Sequence, residues 1–239
     1  MSDKRFGEPM PDWAPPPPPG EPLLSGRYAR LERLEERHAH ELYRAFAEDD
    51  GIWDYLPYGP FPSEVGFLRW VRDMTLRDDP WFYAVIDQAT GLPGAVMSYL
   101  RIAPPIGTIE LGHINISPRL QRSRVATEAM ALMIGWAFEA GYRRFEWKCD
   151  ALNIPSRRAA QRLGLSYEGT FRQATIVKGR NRDTAWFAAT DKEWPGLAAA
   201  YDAWLAPENF GPDGFQAERL SDLTRLVRVS ADPVLGSGD

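Results

Sequence analysis

The spacing of apolar positions along this chain changes period repeatedly, and each change marks an element. Residues 27–34 alternate and predict a first strand. Leu42, Ala45 and Phe46 share one face of a helix expected over His38–Glu48. Val65, Phe67, Leu68, Val71 and Met74 do the same for a helix over Ser63–Arg77, with Ser63 as its cap. Between these helices lies an aromatic loop, residues 51–61, carrying Trp53, Tyr55, Tyr58 and Phe61. Strands are predicted over 81–86, 95–102 and 108–116, the first two joined by a turn with Gly91 and Pro93, which makes an antiparallel meander. After Ser117 and Pro118, the positions Val125, Ala129, Leu132, Met133, Trp136 and Ala140 recur at helical spacing up to Gly141. Phe145, Trp147 and Cys149 then alternate with Glu146, Lys148 and Asp150 in a strand.

Asn153 opens a short helix that runs to Leu163 and stops at Gly164. Residues 167–177 and 184–190 form a hairpin around Lys178–Asp183, and a helix over 192–205 follows, with a weak helical signal over 215–229. The order predicts an α+β fold: a mixed, mostly antiparallel twisted sheet flanked by helices. Residues 26–206 make the domain, and 207–239 a C-terminal extension. Residues 1–25, with an unbroken row from Pro15 to Pro19, are expected to be an extended, poorly ordered tail.

Composition narrows the class. The 239 residues are 44% hydrophobic and carry a net charge of −5, which suits a globular domain and gives no basic face for nucleic acid. No run reaches the roughly 18–20 apolar residues of a membrane span, so no membrane partner is expected. Residues 1–20 show no secretory pattern, and the single Cys149 excludes an intramolecular disulfide; both point to the cytoplasm. His38, His40 and His113 have no metal-ligand spacing, so no metal is expected.

The junction from strand 108–116 to the long helix carries Gln121, Arg122, Ser123, Arg124, Val125, Ala126 and Thr127. A helix start offers unpaired N–H groups and a positive dipole end, which together bind phosphate. The plain alternative is a solvated strand-to-helix turn.

The chain here resembles the Gcn5-related N-acetyltransferase (GNAT) superfamily, and within it the RimJ/RimL-like branch that acetylates protein N-termini. Gln121 and Ala126 match the ends of that family's pyrophosphate loop, with Arg124 where glycine is usual. Asn153, the run Arg162-Leu163-Gly164-Leu165, and Tyr167-Glu168-Gly169 match later family segments in the same order, and residues 171–187 resemble the final RimL-like hairpin. The resemblance covers residues 27–192. It implies acetyl-CoA as co-substrate, held by residues 121–127, by Ile114 and Ile116 on the preceding strand, and by Asn153 at the pantetheine arm.

The resemblance also implies a general base at Glu110, eleven residues before Gln121; the plain alternative is a solvated strand carboxylate. Simple alternation puts Glu110, Gly112, Ile114 and Ile116 on one face and His113 on the other, as a packed histidine. Ser156, three residues after Asn153 where RimL-like enzymes place a serine, is the candidate acid for the departing thiol, because Ala160 stands where many GNATs have a tyrosine; Thr175 stands where RimL-like enzymes have a glutamate, which moves weight to Glu110. Its other role is a hydroxyl that satisfies the first helical turn. A backbone N–H near Asn115 or Ile116 is expected to stabilise the oxyanion.

Trp53, Tyr55 and Tyr58 are candidates for the acceptor wall or a plug for the core. Asp183, at the expected hairpin tip, is a candidate partner for the incoming ammonium or a solvated charge. The acceptor is expected to be the α-amine of a protein or peptide, which ionises near pH 7.7–8.0 and needs only a modest base. A small-molecule amine is the second reading, favoured by a closed aromatic pocket. A non-catalytic acyl-CoA sensor is the third, motivated by Arg124 and Ala160. A homodimer is left open.

Overall fold

The computed structural model describes residues 4–21 and 23–236. Its strands are β1 (Leu23–Ser25), β2 (Ala29–Arg33), β3 (Trp81–Asp87), β4 (Pro93–Ala103), β5 (Thr108–Ile116), β6 (Arg144–Asp150), β7 (Ser166–Val177) and β8 (Arg180–Thr190). Its α-helices are α1 (Ala39–Phe46), α2 (Glu64–Thr75), α3 (Arg124–Glu139), α4 (Ile154–Arg162), α5 (Trp194–Leu205) and α6 (Leu220–Thr224). The strands form one sheet in the order β1-β2-β3-β4-β5-β6-β8-β7. Each pairing is antiparallel except β5 with β6, which α3 connects as a crossover helix. This is the α+β architecture expected from the apolar pattern.

Alternation within strands sends apolar side chains to two cores. On one face Leu31, Tyr83, Met97, Tyr99, Leu111, Phe145, Trp147 and Phe187 pack with Met133, Ile134 and Ala137 of α3 and Leu197 and Tyr201 of α5. The buried Tyr99 and Tyr201 hydroxyls donate to the carbonyls of Met133 and Leu163, both at 2.6 Å, so neither leaves a buried polar group unpaired. On the other face, α1 and α2 cover Phe82, Ala84, Ile86 and Val96. Ser63 caps α2 by accepting the Gly66 N–H, as its sequence position predicts.

One buried charge fastens the first core. The Glu128 carboxylate of α3 accepts the N–H groups of Arg27, Tyr28 and Ala29 at 2.8, 2.6 and 2.6 Å. A Cβ at Gly26 would lie 2.4 Å from that carboxylate, so a larger residue there would push Glu128 off the turn before β2.

Three expectations are corrected. The described part of the proline-rich segment is extended but docked rather than loose. Pro16 and Pro19 are buried, and the Trp13 indole donates to Pro105 O at 3.0 Å. The hydroxyls of Tyr142 and Tyr83 donate to Pro17 O and Glu21 O at 3.1 and 2.6 Å. The hairpin turn is shorter than expected: Val177 pairs with Arg180 around Lys178 and Gly179, whose φ angles of +48° and +74° suit a tight primed turn. Residues 180–183 therefore belong to β8. The helical signal over 215–229 is realised only in α6, Leu220–Thr224.

Candidate active site at the fork between β5 and β6

β5 and β6 pair only from Thr108/Arg144 to Leu111/Trp147. Beyond that register β5 continues to Ile116 and β6 to Asp150 without pairing to each other, so the sheet forks. β5 remains paired to β4, so alternate N–H and C=O groups on its forked side have no strand partner.

A β-bulge sits at the fork. Val96 pairs with Asn115 and Ser98 with Gly112, so His113 and Ile114 together oppose Met97, and His113 takes φ +50°. The bulge overturns the simple alternation. His113 joins the face of Glu110 and Gly112, where its ring meets Phe82 and Tyr58. Ile114 and Ile116 turn to the α3 face, packed against the first core.

Glu110 is not a solvated strand carboxylate; it is 2% exposed. Its Oε1 accepts from Arg101 Nη1 at 2.7 Å, and its Oε2 lies 2.9 Å from Lys148 Nζ, outside good hydrogen-bond geometry. Burial raises its pKa, against the pull of Lys148 and Arg101. Lys148 also contacts Glu146 at 2.7 Å and lies 3.9 Å above the Trp186 ring. Arg144 extends the row to Glu146 and Glu168, with contacts of 2.7 and 2.6 Å. Four strands thus contribute one charged ladder, facing away from α3, that runs through Glu110 at the fork, with Trp186 of β8 packed against it.

His113 is packed and hydrogen-bonded. Its Nδ1 lies 2.9 Å from Tyr58 Oη, and the two rings stack at 5.5 Å. Burial, helped by the charges of Arg101 and Arg182, lowers its pKa to about 4, so the imidazole is neutral near pH 7.

Across the fork, Asn153 caps α4 by accepting the Ser156 N–H at 3.1 Å. The Ser156 hydroxyl accepts the Trp147 indole N–H at 3.0 Å and is hydrogen-bonded to the buried Cys149 thiol. At α3, Ser123 is the N-cap and accepts the Ala126 N–H at 3.1 Å. Gln121 Nε2 donates to Ile116 O at 3.1 Å and ties the loop to β5. Arg122 takes the left-handed conformation, φ +57°. The amides of Arg122, Arg124 and Val125 have no acceptor among the described residues, as expected of a helix start that receives an anion.

The side chains of this loop divide. Arg124 is held between the rings of Tyr28 and Phe210, at 4.7 and 4.6 Å, and is committed to packing. Thr127 is buried, donating to Ser123 O and accepting from Arg162 Nη1, each at 3.1 Å. The free donors of the loop among the described residues thus include the backbone amides of Arg122, Arg124 and Val125. Asn115, 1% exposed beside the fork, has neither its amide N nor its O paired among the described residues. Unsatisfied buried groups of this kind fit a site that takes a polar ligand.

The candidate acceptor residues separate as well. Trp53 is 2% exposed among Phe46, Phe61 and Phe67, so it plugs the second core and is no substrate wall. Tyr58 is committed to His113. Tyr55 is 40% exposed and donates to Leu152 O at 3.2 Å, bridging the aromatic loop to the β6–α4 turn. Lys178 donates to Trp53 O at 2.8 Å, so the β7–β8 hairpin reaches back to the same loop. Asp183 lies in β8 and not at the tip. Its Oδ1 accepts from Gln173 N at 2.7 Å and Asn181 Nδ2 at 3.0 Å, holding a bulge in which residues 172–174 oppose Asp183 alone. Among the described residues no group of His, Cys, Asp and Glu converges as a metal site, and no helix is long and apolar enough to cross a membrane.

Sequence reasoning missed Lys148, Arg101 and the Tyr58–His113 contact. Only Lys148 had a visible signal, as the cation on the polar side of an alternating strand.

This arrangement has known counterparts. The acetyltransferase (GNAT) domain model matches residues 29–166, and the chain belongs to that family. It is similar to a GCN5-related N-acetyltransferase structure from Brucella melitensis, 43% identical, with a TM-score of 0.88, covering 90% of this chain and 100% of that one. It is 26% identical over 151 residues to the Uncharacterized N-acetyltransferase YnaD of Bacillus subtilis (strain 168), across 62% of this chain and 86% of that protein. A structure of RimL, described as a ribosomal L7/L12 alpha-N-protein acetyltransferase, is similar in fold: 22% identical, TM-score 0.61, covering 70% of this chain and 93% of RimL. The protein is accordingly an acetyl-CoA-dependent acyltransferase of the GNAT type.

Proposed function

We propose that this enzyme acetylates the α-amine of a protein or peptide, in the manner of the RimL-like branch, by direct attack on acetyl-CoA. The observation that carries the reading is the fork. Glu110 stands on one face of it, with the free amides of α3 and the Asn153–Ser156 turn supporting the other. The amides of Arg122, Arg124 and Val125 receive the pyrophosphate, and Asn153 receives the pantetheine arm between the parted strands. Ile114 and Ile116 line the α3 side.

The acceptor ammonium enters on the Glu110 face and gives its proton to that carboxylate. The amine nitrogen then attacks the thioester carbonyl carbon, and an amide on the forked side of β5 receives the oxyanion. The C–S bond breaks as the attached nitrogen loses its remaining excess proton to solvent, and Ser156 relays a solvent proton to the thiolate. A thiol with a pKa near 8.5 needs only this weak acid at neutral pH. Burial raises the basicity of Glu110, which suits an amine that ionises near pH 7.7–8.0 better than the side chain of lysine near 10.4.

The openness of the acceptor face supports a peptide. A closed pocket built on Trp53 would favour a small amine, but Trp53 is spent in the core. Instead Tyr55, Leu152 and Phe171 are exposed, and Phe171 packs 4.6 Å from Trp186, whose ring lies over Lys148 of the charged ladder.

The test is coenzyme A release, with mass analysis of the product, from acetyl-CoA and three acceptor sets. These are peptides with a free N-terminus, N-blocked peptides containing lysine, and small primary amines. Acetylation of the free N-termini is expected. Turnover of small amines with all peptides inert would overturn the acceptor assignment.

A further inference from the structure

The matched family domain ends at residue 166, and the last 30 described residues lie beyond it and beyond α5. They do not trail away. Asp232 is 0% exposed at its side chain and grips Arg157 of α4 through two bonds of 2.6 Å, Nε to Oδ2 and Nη2 to Oδ1. The remaining guanidinium nitrogen, Nη1, donates to Ala151 O at 2.8 Å, on the turn that leads from β6 into Asn153. The Asp232 N–H donates back to Gln161 Oε1 of α4 at 2.7 Å. The far end of α4 is held as well: Thr224 Oγ1 and Arg228 Nη1 donate to the carbonyls of Arg162 and Gln161, at 3.0 and 3.2 Å.

The same segment reaches the other wall of the fork. Phe210 covers Arg124 at the first position of α3, and its ring packs on Trp204 at 5.1 Å. Trp204 in turn lies 4.8 Å from the guanidinium of Arg162, which bonds Thr127 of α3. Both helix starts that face the fork are thus fastened from behind by one segment. Arg124, the residue that departs from the family's glycine, is one of the fastening points.

We infer that residues 207–236 form a strap that is part of the acetyl-CoA site, with Asp232 as a positioning residue that sets the Ala151–Asn153 turn through Arg157. The inference rests on the assignment of Asn153 and Ser156 to the cofactor arm. Arg157 is adjacent to Ser156, and its Nη1 anchors the carbonyl two residues before Asn153. Loss of Asp232 frees the guanidinium to leave that carbonyl, and the turn loses its fixed orientation.

The test uses the full chain with Asp232→Ala, Asp232→Asn, Asp232→Glu and Phe210→Leu. Acetyl-CoA affinity is measured by calorimetry, and steady-state constants are measured with the acceptor peptide found above. Asp232→Ala is expected to weaken acetyl-CoA binding at least tenfold and raise its KM in parallel, with the acceptor KM within twofold of wild type. Asp232→Glu is expected to recover most of the affinity, and Phe210→Leu to lose about threefold. The near-isosteric Asp232→Asn replaces Asp232→Ala if burial of an unpaired arginine prevents folding. Folded Asp232 variants that bind acetyl-CoA as wild type does would overturn the strap. Equal losses for cofactor and acceptor would overturn it too, since they mark a merely structural role. Wild-type chain that fails to bind acetyl-CoA would instead sink the cofactor assignment itself.

Discussion

Lys148 is the residue whose removal most directly probes the chemistry of the fork. Its ammonium lies 2.9 Å from Glu110 and 2.7 Å from Glu146, with side-chain exposures of 9%, 3% and 14% for the three residues. At an effective dielectric constant of about 20, a unit pair at this separation is worth about 6 kcal/mol. Much of that gain is offset by desolvation of the lysine and by its division between two carboxylates. Arg101, which is half exposed, stays to stabilise the anion. If only a quarter of the pair energy survives as a preference for ionised Glu110, about 1.4 kcal/mol, the ionised fraction on the acid side changes tenfold. Lys148→Met is therefore expected to move the acid limb of the kcat/KM profile to higher pH and to lower kcat/KM about tenfold on that limb, while Lys148→Arg stays near wild type. Glu110→Gln removes the limb and lowers kcat by about two to four orders of magnitude. The assay is thiol release across pH 5–9. An acid limb that stays in place in Lys148→Met would refute the role of Glu110 as the titrating base.

Ser156→Ala is expected to lower kcat less than tenfold near pH 7, and the loss should shrink as pH rises above about 8.5, where the thiolate leaves without a proton. Trp53→Ala removes a fully packed indole and is expected to cost about 3–5 kcal/mol in denaturant unfolding; a loss below about 1 kcal/mol would contradict its role as a core plug. His113 has its folded pKa lowered from 6.5 to about 4, so the unfolded chain binds the extra proton first as pH falls. Its contribution to stability is present above pH 6.5 and is lost on acidification toward pH 4. The loss is at most about 3 kcal/mol, and less after allowance for the partial exposure of the ring. His113→Asn should flatten this part of the pH–stability curve, and an unchanged curve would show that the imidazole is not held neutral.

Much of the fold could be read from the apolar periods, because each strand and long helix buries one regular face. The fork was legible only indirectly, as a strand, a polar loop and an amphipathic helix in sequence. The misses have a common cause: side chains whose partners lie far away in the chain. Whether an aromatic loop lines a pocket or plugs a core depends on Phe46 and Phe67 beneath Trp53, and the local sequence is the same in both cases. Pro15–Pro19 has the composition of a loose tail, and its docking depends on Tyr142, more than a hundred residues away. Lys178-Gly179 is an unusual pair for a primed turn, since lysine gains nothing at positive φ, so the local sequence points to a longer loop with Asp183 at its tip. The bulge at His113 leaves no mark in an alternating pattern, yet it decides which residues face the acceptor.

That bulge also gives the aromatic loop an indirect function. A non-glycine residue at φ +50° is strained by about 1 kcal/mol or more and persists only where its surroundings hold it. Here the Tyr58 hydroxyl and ring hold His113, and Tyr58 is itself packed against Trp53, Phe61 and Trp70. The chain of support runs from the core plug, through Tyr58, to the bulge. The bulge turns Ile114 and Ile116 toward the α3 face while keeping Glu110 and His113 on the opposite face. The loop thus fixes the register of β5 at the point where the strand leaves β6. The strap does the corresponding work for β6 and α4 from the opposite end of the chain. The two walls of the fork are thus each braced by a segment remote from it in sequence, and Arg124 is packed while the amides of Arg122, Arg124 and Val125 have no acceptor among the described residues.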